Sequence, residues 1–278
     1  MAHCFLCLRA LIKMIIFVFM RRILFLWFLL PGVLYAQLRV SKLVIKPKQV
    51  YDLGQSDILV ADTIVMMDSS RLILNKLKGE NFIRVKSIRV GNYCIIDGRG
   101  VNGQSGREGI SGVTPGGPCL NGSPGKDGTK GLDGTKAINL SLYFEKISIK
   151  GQLIIDVTGG GGGRGGNGGA GGGGSPGTRH CNGGNGANGG KAGPGGNGGN
   201  GGAVTITFFK PQVLKDLILS KKIVIRNLGG DAGPSGKGGY HGGAGLGPSK
   251  RNGKDGEPGP YNSNGISGEK GSVVIQAN

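Results

Sequence analysis

The sequence predicts an all-β repeat fold: a short parallel β-solenoid base carrying a six-leg bundle of polyproline II-type, or polyglycine II, helices. Three observations carry this expectation. Glycine falls on every third residue in six runs that come in pairs. Similar β-branched strand-turn-strand units recur between those pairs. Each glycine-rich excursion leaves from the end of one such strand and returns into another.

The chain begins with a segment that reads as a secretory signal, residues 1–36. Met20, Arg21 and Arg22 precede an apolar run, then Pro31-Gly32, then Val33-Leu34-Tyr35-Ala36 before Gln37, which sets cleavage after Ala36. Met20 reads as the initiator. The rival is a transmembrane anchor, but Lys13, Arg21 and Arg22 interrupt the apolar stretch short of the ~20 residues a span needs. Twin-arginine export through Arg21-Arg22 has a poor surrounding consensus. The expectation is therefore a secreted or cell-surface protein, with the periplasm as an alternative and no stable membrane span after cleavage. Cleavage removes Trp27, the only tryptophan, and the basic residues Arg9, Lys13, Arg21 and Arg22, leaving 30 basic against 16 acidic residues, a balance of +14.

The base is expected from 37–97, completed by 138–158, 203–227 and 272–278. Ile64-Val65-Met66 leads to Leu72-Ile73-Leu74-Asn75, and Ile88-Arg89-Val90 to Cys94-Ile95-Ile96-Asp97. Ile147-Ser148-Ile149 leads to Leu153-Ile154-Ile155-Asp156, and Leu217-Ile218-Leu219 to Ile223-Val224-Ile225-Arg226. Each reads as two strands and a polar turn. Closing strands follow the excursions at 138–144, 204–209 and 273–276. One such unit cannot bury its apolar face alone, so the four read as stacked solenoid rungs.

The excursions span 98–137, 159–202 and 228–271, that is 40, 44 and 44 residues. Each has a non-repetitive middle (113–121, 175–182, 243–252) and so reads as a leg out, a tip and a leg back. Polyproline II rises ~3.1 Å per residue with three residues per turn, so a bare glycine edge runs along each leg for another backbone to lie against. Rungs ~4.8 Å apart would deliver successive legs side by side, as two columns of three. The middle excursion is expected to be most enclosed. Around Arg164, Asn167, Asn185, Asn188, Asn197 and Asn200 two of every three positions are glycine or, at Ala187 and Ala192, alanine, whereas the first pair of legs and the final leg are only Gly-x-y, as in Gly125-Lys126-Asp127. The period lapses at Ala192 and Asn262.

Triplets such as Gly122-Ser123-Pro124 and Gly256-Glu257-Pro258 resemble collagen-like repeats, over five to seven triplets at a time. The two-in-three glycine legs are more similar to polyglycine II bundles, as in snow-flea antifreeze proteins and the distal tail-fibre adhesins of some bacteriophages. That resemblance is one of pattern and leg count. It implies a side-chain-poor scaffold, with specificity, in the adhesins, carried by tip loops.

Candidate sites are few. Asp97 and Asp156 occupy the same place in neighbouring units, with Asn75 before and Arg226 after. A carboxylate pair on a solenoid could bind a cation or act on a glycan, but a polar ladder at the strand ends accounts for it more simply. No catalytic residue, metal ligand set or cofactor is expected: His180 and His241 have no spaced partner. Nucleic acid is disfavoured because Gly163-Arg164-Gly165-Gly166 is a single match and aromatics are scarce. The positive charge of an exported chain points instead to an anionic glycan or cell-envelope polymer, although solubility of a side-chain-poor protein explains it equally. Candidate binding residues are Arg179 and His180 on the second tip, Lys250 and Arg251 on the third, and Lys254 and Tyr261 beyond.

Three cysteines remain after cleavage. Cys94 aligns with Leu72, Leu153 and Ile223, so it is expected as a buried free thiol. Cys119 and Cys181 each sit at a tip shortly before an Asn-Gly pair; excursions of matching length would bring the tips together and let these sulfurs bond.

The function expected is structural or adhesive and non-enzymatic, with tip loops displayed on a glycine-rich scaffold. The alternatives are an ice-binding protein, which needs a flat, weakly charged face unlike that of Lys126, Asp127, Lys130, Asp133 and Lys136, and a glycan-active β-helix enzyme.

Overall fold

The computed structural model describes residues 37–277, so the leader assigned to residues 1–36 lies outside the described residues. Eleven strands and one helix follow in order: β1 (Gln37–Ile45), β2 (Val50–Asp52), β3 (Ile58–Met66), β4 (Arg71–Ile73), β5 (Glu80–Val90), β6 (Cys94–Asp97), β7 (Asn139–Ile149), β8 (Leu153–Asp156), β9 (Val204–Phe208), α1 (Pro211–Leu219), β10 (Ile223–Arg226) and β11 (Val273–Ala277). Odd-numbered strands form a six-stranded sheet in chain order, and even-numbered strands a five-stranded sheet in chain order. Every pairing is parallel. The chain therefore alternates between two walls and advances by one strand in each per circuit.

The walls are held by aligned apolar rows. Leu59, Ile83, Leu142 and Ile206 stack through consecutive pairings of the large sheet, as do Ala61, Val85, Phe144 and Phe208. The last two rings lie 4.8 Å apart. Each fully buried side chain of this kind contributes ~1.5–3 kcal/mol of transfer free energy. In β5 the in–out alternation slips at Lys86-Ser87, where the pairing with both neighbours is also interrupted. Two successive residues then face away from the core, and the sheet bends there.

Three local expectations need correction. Leu217, Ile218 and Leu219 lie in α1, not in a strand. Pro211 sits in the first helical turn, where its missing N–H is harmless. Val213, Leu214, Leu217 and Ile218 follow helical spacing, with Leu214 fully buried. The strand of that circuit is β9, which pairs with β7 only as far as Phe144. Secondly, 138–144 and Ile147-Ser148-Ile149 are not separate strands, because β7 runs through both. Thirdly, Leu72 pairs with Ile96, which puts Cys94 level with Ser70, whose hydroxyl lies 3.6 Å from the Cys94 sulfur. Asp97 pairs with Ile73. Asn75 instead closes a turn, its backbone exchanging hydrogen bonds with the Asn81 amide at 2.8 and 3.0 Å. Cys94 is a buried free thiol, with no accessible surface.

The glycine-rich legs (98–112, 122–137, 159–174, 183–202, 228–247 and 253–271) bond to one another through backbone groups. Gly103 donates to Gly161, and Gly162 to Asp231, both at 2.8 Å, linking the first, third and fifth legs. Gly134 donates to Asn197 and Gly198 to Ile266, again at 2.8 Å, linking the second, fourth and sixth. Cross-bonds join the two sets: Leu132 to Gln104, Gly163 to Leu132, Gly196 to Gly163, Gly233 to Gly196 and Gly265 to Gly233. The third leg thus bonds to the first, second, fourth and fifth, and the fourth to the second, third, fifth and sixth. The first bonds only to the second and third. This difference accounts for the glycine gradient. A Cβ on Gly198 would run into the Gly230 carbonyl and one on Gly199 into the Thr135 carbonyl, so both must be glycine. On the second leg Gly131 is enclosed in the same way, but Leu132 beside it is exposed.

Candidate functional site

The three tips meet. A disulfide joins Cys119 to Cys181, with their Cα atoms 6.0 Å apart. The Cys119 N–H donates to the Pro176 carbonyl at 2.8 Å. The third tip closes on the second through the Arg251 guanidinium, which donates to the Arg179 carbonyl at 2.7 Å, and through the Gly177 N–H, which donates to Leu246 at 2.8 Å. Ser249 and Lys250 are consecutive non-glycine residues at φ 54° and 64°. Each costs ~1–2 kcal/mol in the turn that presents Lys250 to solvent. Arg179, His180, Lys250 and Arg251 are all exposed on this surface. Residues 113–121, 175–182 and 243–252 contain no Asp or Glu, so nothing within the tips neutralises Arg179, Lys250 and Arg251.

Lys254 opens the sixth leg, its N–H donating to the Asn185 side chain at 2.8 Å. Tyr261 is not a tip residue. The Lys254 carbonyl is opposite Gly186 and the Pro260 carbonyl is opposite Ala192, two triplets further from the tip.

The legs carry a second set of hydrogen bonds that glycine counting misses. Along one flank, side-chain oxygens of Asn121, Asp127 and Asp133 on the second leg accept from the backbone N–H groups of Asn185, Lys191 and Asn197, each at 2.7 Å. Asn185, Asn188, Asn197 and Asn200 then accept from Lys254, Glu257, Ile266 and Glu269 at 2.8–3.0 Å. The signal was present in the sequence as asparagine at the third position of successive triplets. These bonds also hold the Asp133 carboxyl below the usual carboxylate range, first through the Asn197 N–H and then through Lys130. On the outermost layers, hydroxyls of Thr135, Thr129 and Ser123 accept from Val101, Arg107 and Val113 at 2.7 Å. Asp255, Asn264 and Ser267 do the same for Ala244, Ser235 and Ala232.

Asp97 and Asp156 pair across β6 and β8, and Asp156 pairs with Arg226 across β8 and β10. The Asp97 side chain is 3% exposed and gripped by both ends of the Arg99 guanidinium at 2.9 and 3.0 Å, with Arg71 at 3.4 Å. Burial pushes its carboxyl up; the Arg99 side chain, the Arg99 N–H and the Lys76 charge more than offset that and hold it below the ordinary value. Asp156 accepts from the Thr158 hydroxyl at 2.8 Å and lies 3.9 Å from Arg226. Both carboxylates are thus tied into a polar ladder at the strand ends.

At the bend of the six-stranded sheet, a groove of about 590 Å³ is lined by Arg39, Asp62, Arg84, Lys86, Tyr143 and Glu145. Asp62 and Lys86 pair at 2.7 Å, and the Arg84 guanidinium carbon lies 5.0 Å from the centre of the Tyr143 ring. Three cations face two carboxylates there, so most of the groove's charge is compensated within it, unlike that of the tips. Among the described residues there is no group of three or more His, Cys, Asp or Glu placed to hold a metal ion, and no helix is long and apolar enough to cross a membrane.

No family model, no curated protein and no solved structure matches the chain.

Proposed function

We propose that the protein is an exported, non-enzymatic display scaffold that attaches to an anionic glycan or cell-envelope polymer. In this reading 37–97, 138–158, 203–227 and 272–278 form a parallel β-solenoid base. The segments 98–137, 159–202 and 228–271 form a polyglycine II bundle that carries the tips outward. Two parallel sheets that advance strand by strand support the base, and the period-three backbone bonding between glycine-rich legs supports the bundle. The observation that carries the function is the joined tip surface: Arg179, His180, Lys250 and Arg251 are exposed, cross-tied and free of acidic neighbours within the tips. A cationic patch without internal neutralisation attracts polyanions in a salt-dependent way.

The test is binding of the purified protein to whole cells and to acidic polysaccharides at several salt concentrations. Joint replacement of Lys250, Arg251 and Lys254 by Gln is expected to weaken binding and flatten its salt dependence. Replacement of Lys221 and Lys222 on the base is expected to leave it unchanged. The reverse pattern would move the site to the base, and an absence of binding to every anionic polymer would remove the reading.

A further inference from the structure

Tyr240 and Tyr261 are the only Phe, Trp or Tyr residues in the three glycine-rich excursions, and they belong to the adjacent fifth and sixth legs. They are 83% and 78% exposed. The register places them close together. Ser235 donates to the Asn264 side chain, Ala244 to that of Asp255, and Gly259 to the Gly239 carbonyl. Stepping by triplets between these points sets Tyr261 opposite Gly238 and Pro258 opposite His241. Tyr240 therefore stands within one triplet of Tyr261, and His241 follows it on the outermost layer.

Two further features coincide at this level. The side-chain acceptors that cap Ala232, Ser235 and Ala244 are missing here, because proline and tyrosine stand where Asp, Asn or Ser stand elsewhere. Among the described residues the N–H groups of Gly238 and His241 have no protein acceptor. The glycine phase also breaks next door, at Asn262, where the regular donation to the Gly236 carbonyl is missing. The two tyrosines, the missing caps and the break at Asn262 depart together from the pattern of the fifth and sixth legs, and such departures are where function is expected to reside.

We propose that Tyr240, His241 and Tyr261, with the uncapped N–H groups of Gly238 and His241, form a binding site for a neutral saccharide chain. A tyrosine ring offers a flat apolar face with a polar rim, which suits the face of a pyranose ring, and the free N–H groups donate to its hydroxyls. A protein partner would need a contiguous apolar patch, whereas this layer is Ala232, Ser235, Gly238, His241 and Ala244. Glu257 and Asp255 stand one and two triplets from Tyr261, and Lys237 and Lys254 are as near, so charge at this level is balanced and favours a neutral ligand. The site lies on the side of the legs and does not depend on the tip reading.

The probes are cellohexaose, maltohexaose and chitohexaose, with binding followed by calorimetry and tyrosine fluorescence. At least one is expected to bind the purified protein. Joint Tyr240→Ala and Tyr261→Ala replacement is expected to weaken that binding about tenfold or more while leaving the thermal midpoint unchanged, since both rings are exposed. Joint replacement by Phe keeps the ring faces and is expected to retain affinity within about twofold. Raised salt and the Lys250/Arg251/Lys254 variant are expected to leave saccharide binding intact, which separates this site from the tips. Equal affinity of the Ala and native proteins, loss of binding in the tip variant, or no binding of any of the three probes would overturn the proposal.

Discussion

The Asn262 side-chain amide donates to the Ala192 carbonyl at 3.1 Å, joining the two positions where the glycine period fails. The backbone pattern around them explains why the failures come together. Gly259 and Gly265 donate to the Gly239 and Gly233 carbonyls, but the series skips Asn262 and the intervening Gly236. A Cβ on Gly189 or Gly195 would meet those same flanking carbonyls, so the Ala192 methyl falls towards Gly236. One missing step in the backbone bonding leaves room for both side chains, and the Asn262 amide bonds to Ala192 there instead. Asn262→Gly alone is expected to destabilise by ~1 kcal/mol; with Ala192→Gly added, the regular bond can form and stability is expected to recover. Urea denaturation of the four proteins checks this through a coupling of ~0.5–3 kcal/mol; simple additivity would contradict it.

Gly198 and Lys130 make a second contrast. Gly198 faces the Gly230 carbonyl so closely that any Cβ must displace backbone, whereas Lys130 is exposed and pairs only with Asp133 at 2.9 Å. Gly198→Val is expected to cost ~3 kcal/mol or more, and Lys130→Val no more than ~0.5 kcal/mol. Thermal denaturation distinguishes them, and equal tolerance would remove the enclosed fourth leg.

The Cys119–Cys181 bridge spans a sequence separation of 62, which in the chain-entropy treatment stabilises by ~4 kcal/mol. Non-reducing peptide mapping is expected to recover this link and no other. Cys94 is expected to react with thiol reagents only after unfolding. A peptide joining Cys94 to either tip would contradict the register of β6.

Acid sensitivity follows from Asp97. Its folded-state carboxyl titrates below the ordinary value near 3.8, so the folded protein releases this proton more readily than the unfolded chain. The resulting stabilisation is fully present above the unfolded value and is lost as pH falls through the lower folded one. Asp97→Asn is therefore expected to be less stable than the native protein at neutral pH. The gap should close below about pH 3.8. Thermal midpoints across that range test the sign, and a gap that widens on acidification would refute it.

The sequence disclosed some levels of this structure and hid others. Runs such as Ile64-Val65-Met66 and Ile154-Ile155 declare parallel strands because β-branched side chains pack well on a pleated, buried wall. Leu217-Ile218-Leu219 carries the same composition but belongs to a helix. Over so short a run, apolar residues read alike at either period, and the deciding cue is Pro211 upstream. Apolar likeness sets Cys94 opposite Leu72, whereas the wall puts it level with Ser70; a small polar residue fits there because the cysteine sulfur accepts its hydroxyl. Tip convergence could be argued from excursion length, but the Arg251 contact with the Arg179 carbonyl depends on turn geometry at Ser249 and Lys250, which no periodicity encodes.

The caps on the outermost legs have a consequence for association. Bare glycine backbone has no inherent reason to stop at six chains, since each added row would find donors waiting, as on the growing face of a crystallite. The hydroxyls of Thr135, Thr129 and Ser123 on one side, and the oxygens of Asp255, Asn264 and Ser267 on the other, occupy several of those donors. Each cap removes a donor that a further row would need, so the caps oppose growth of the array beyond six legs.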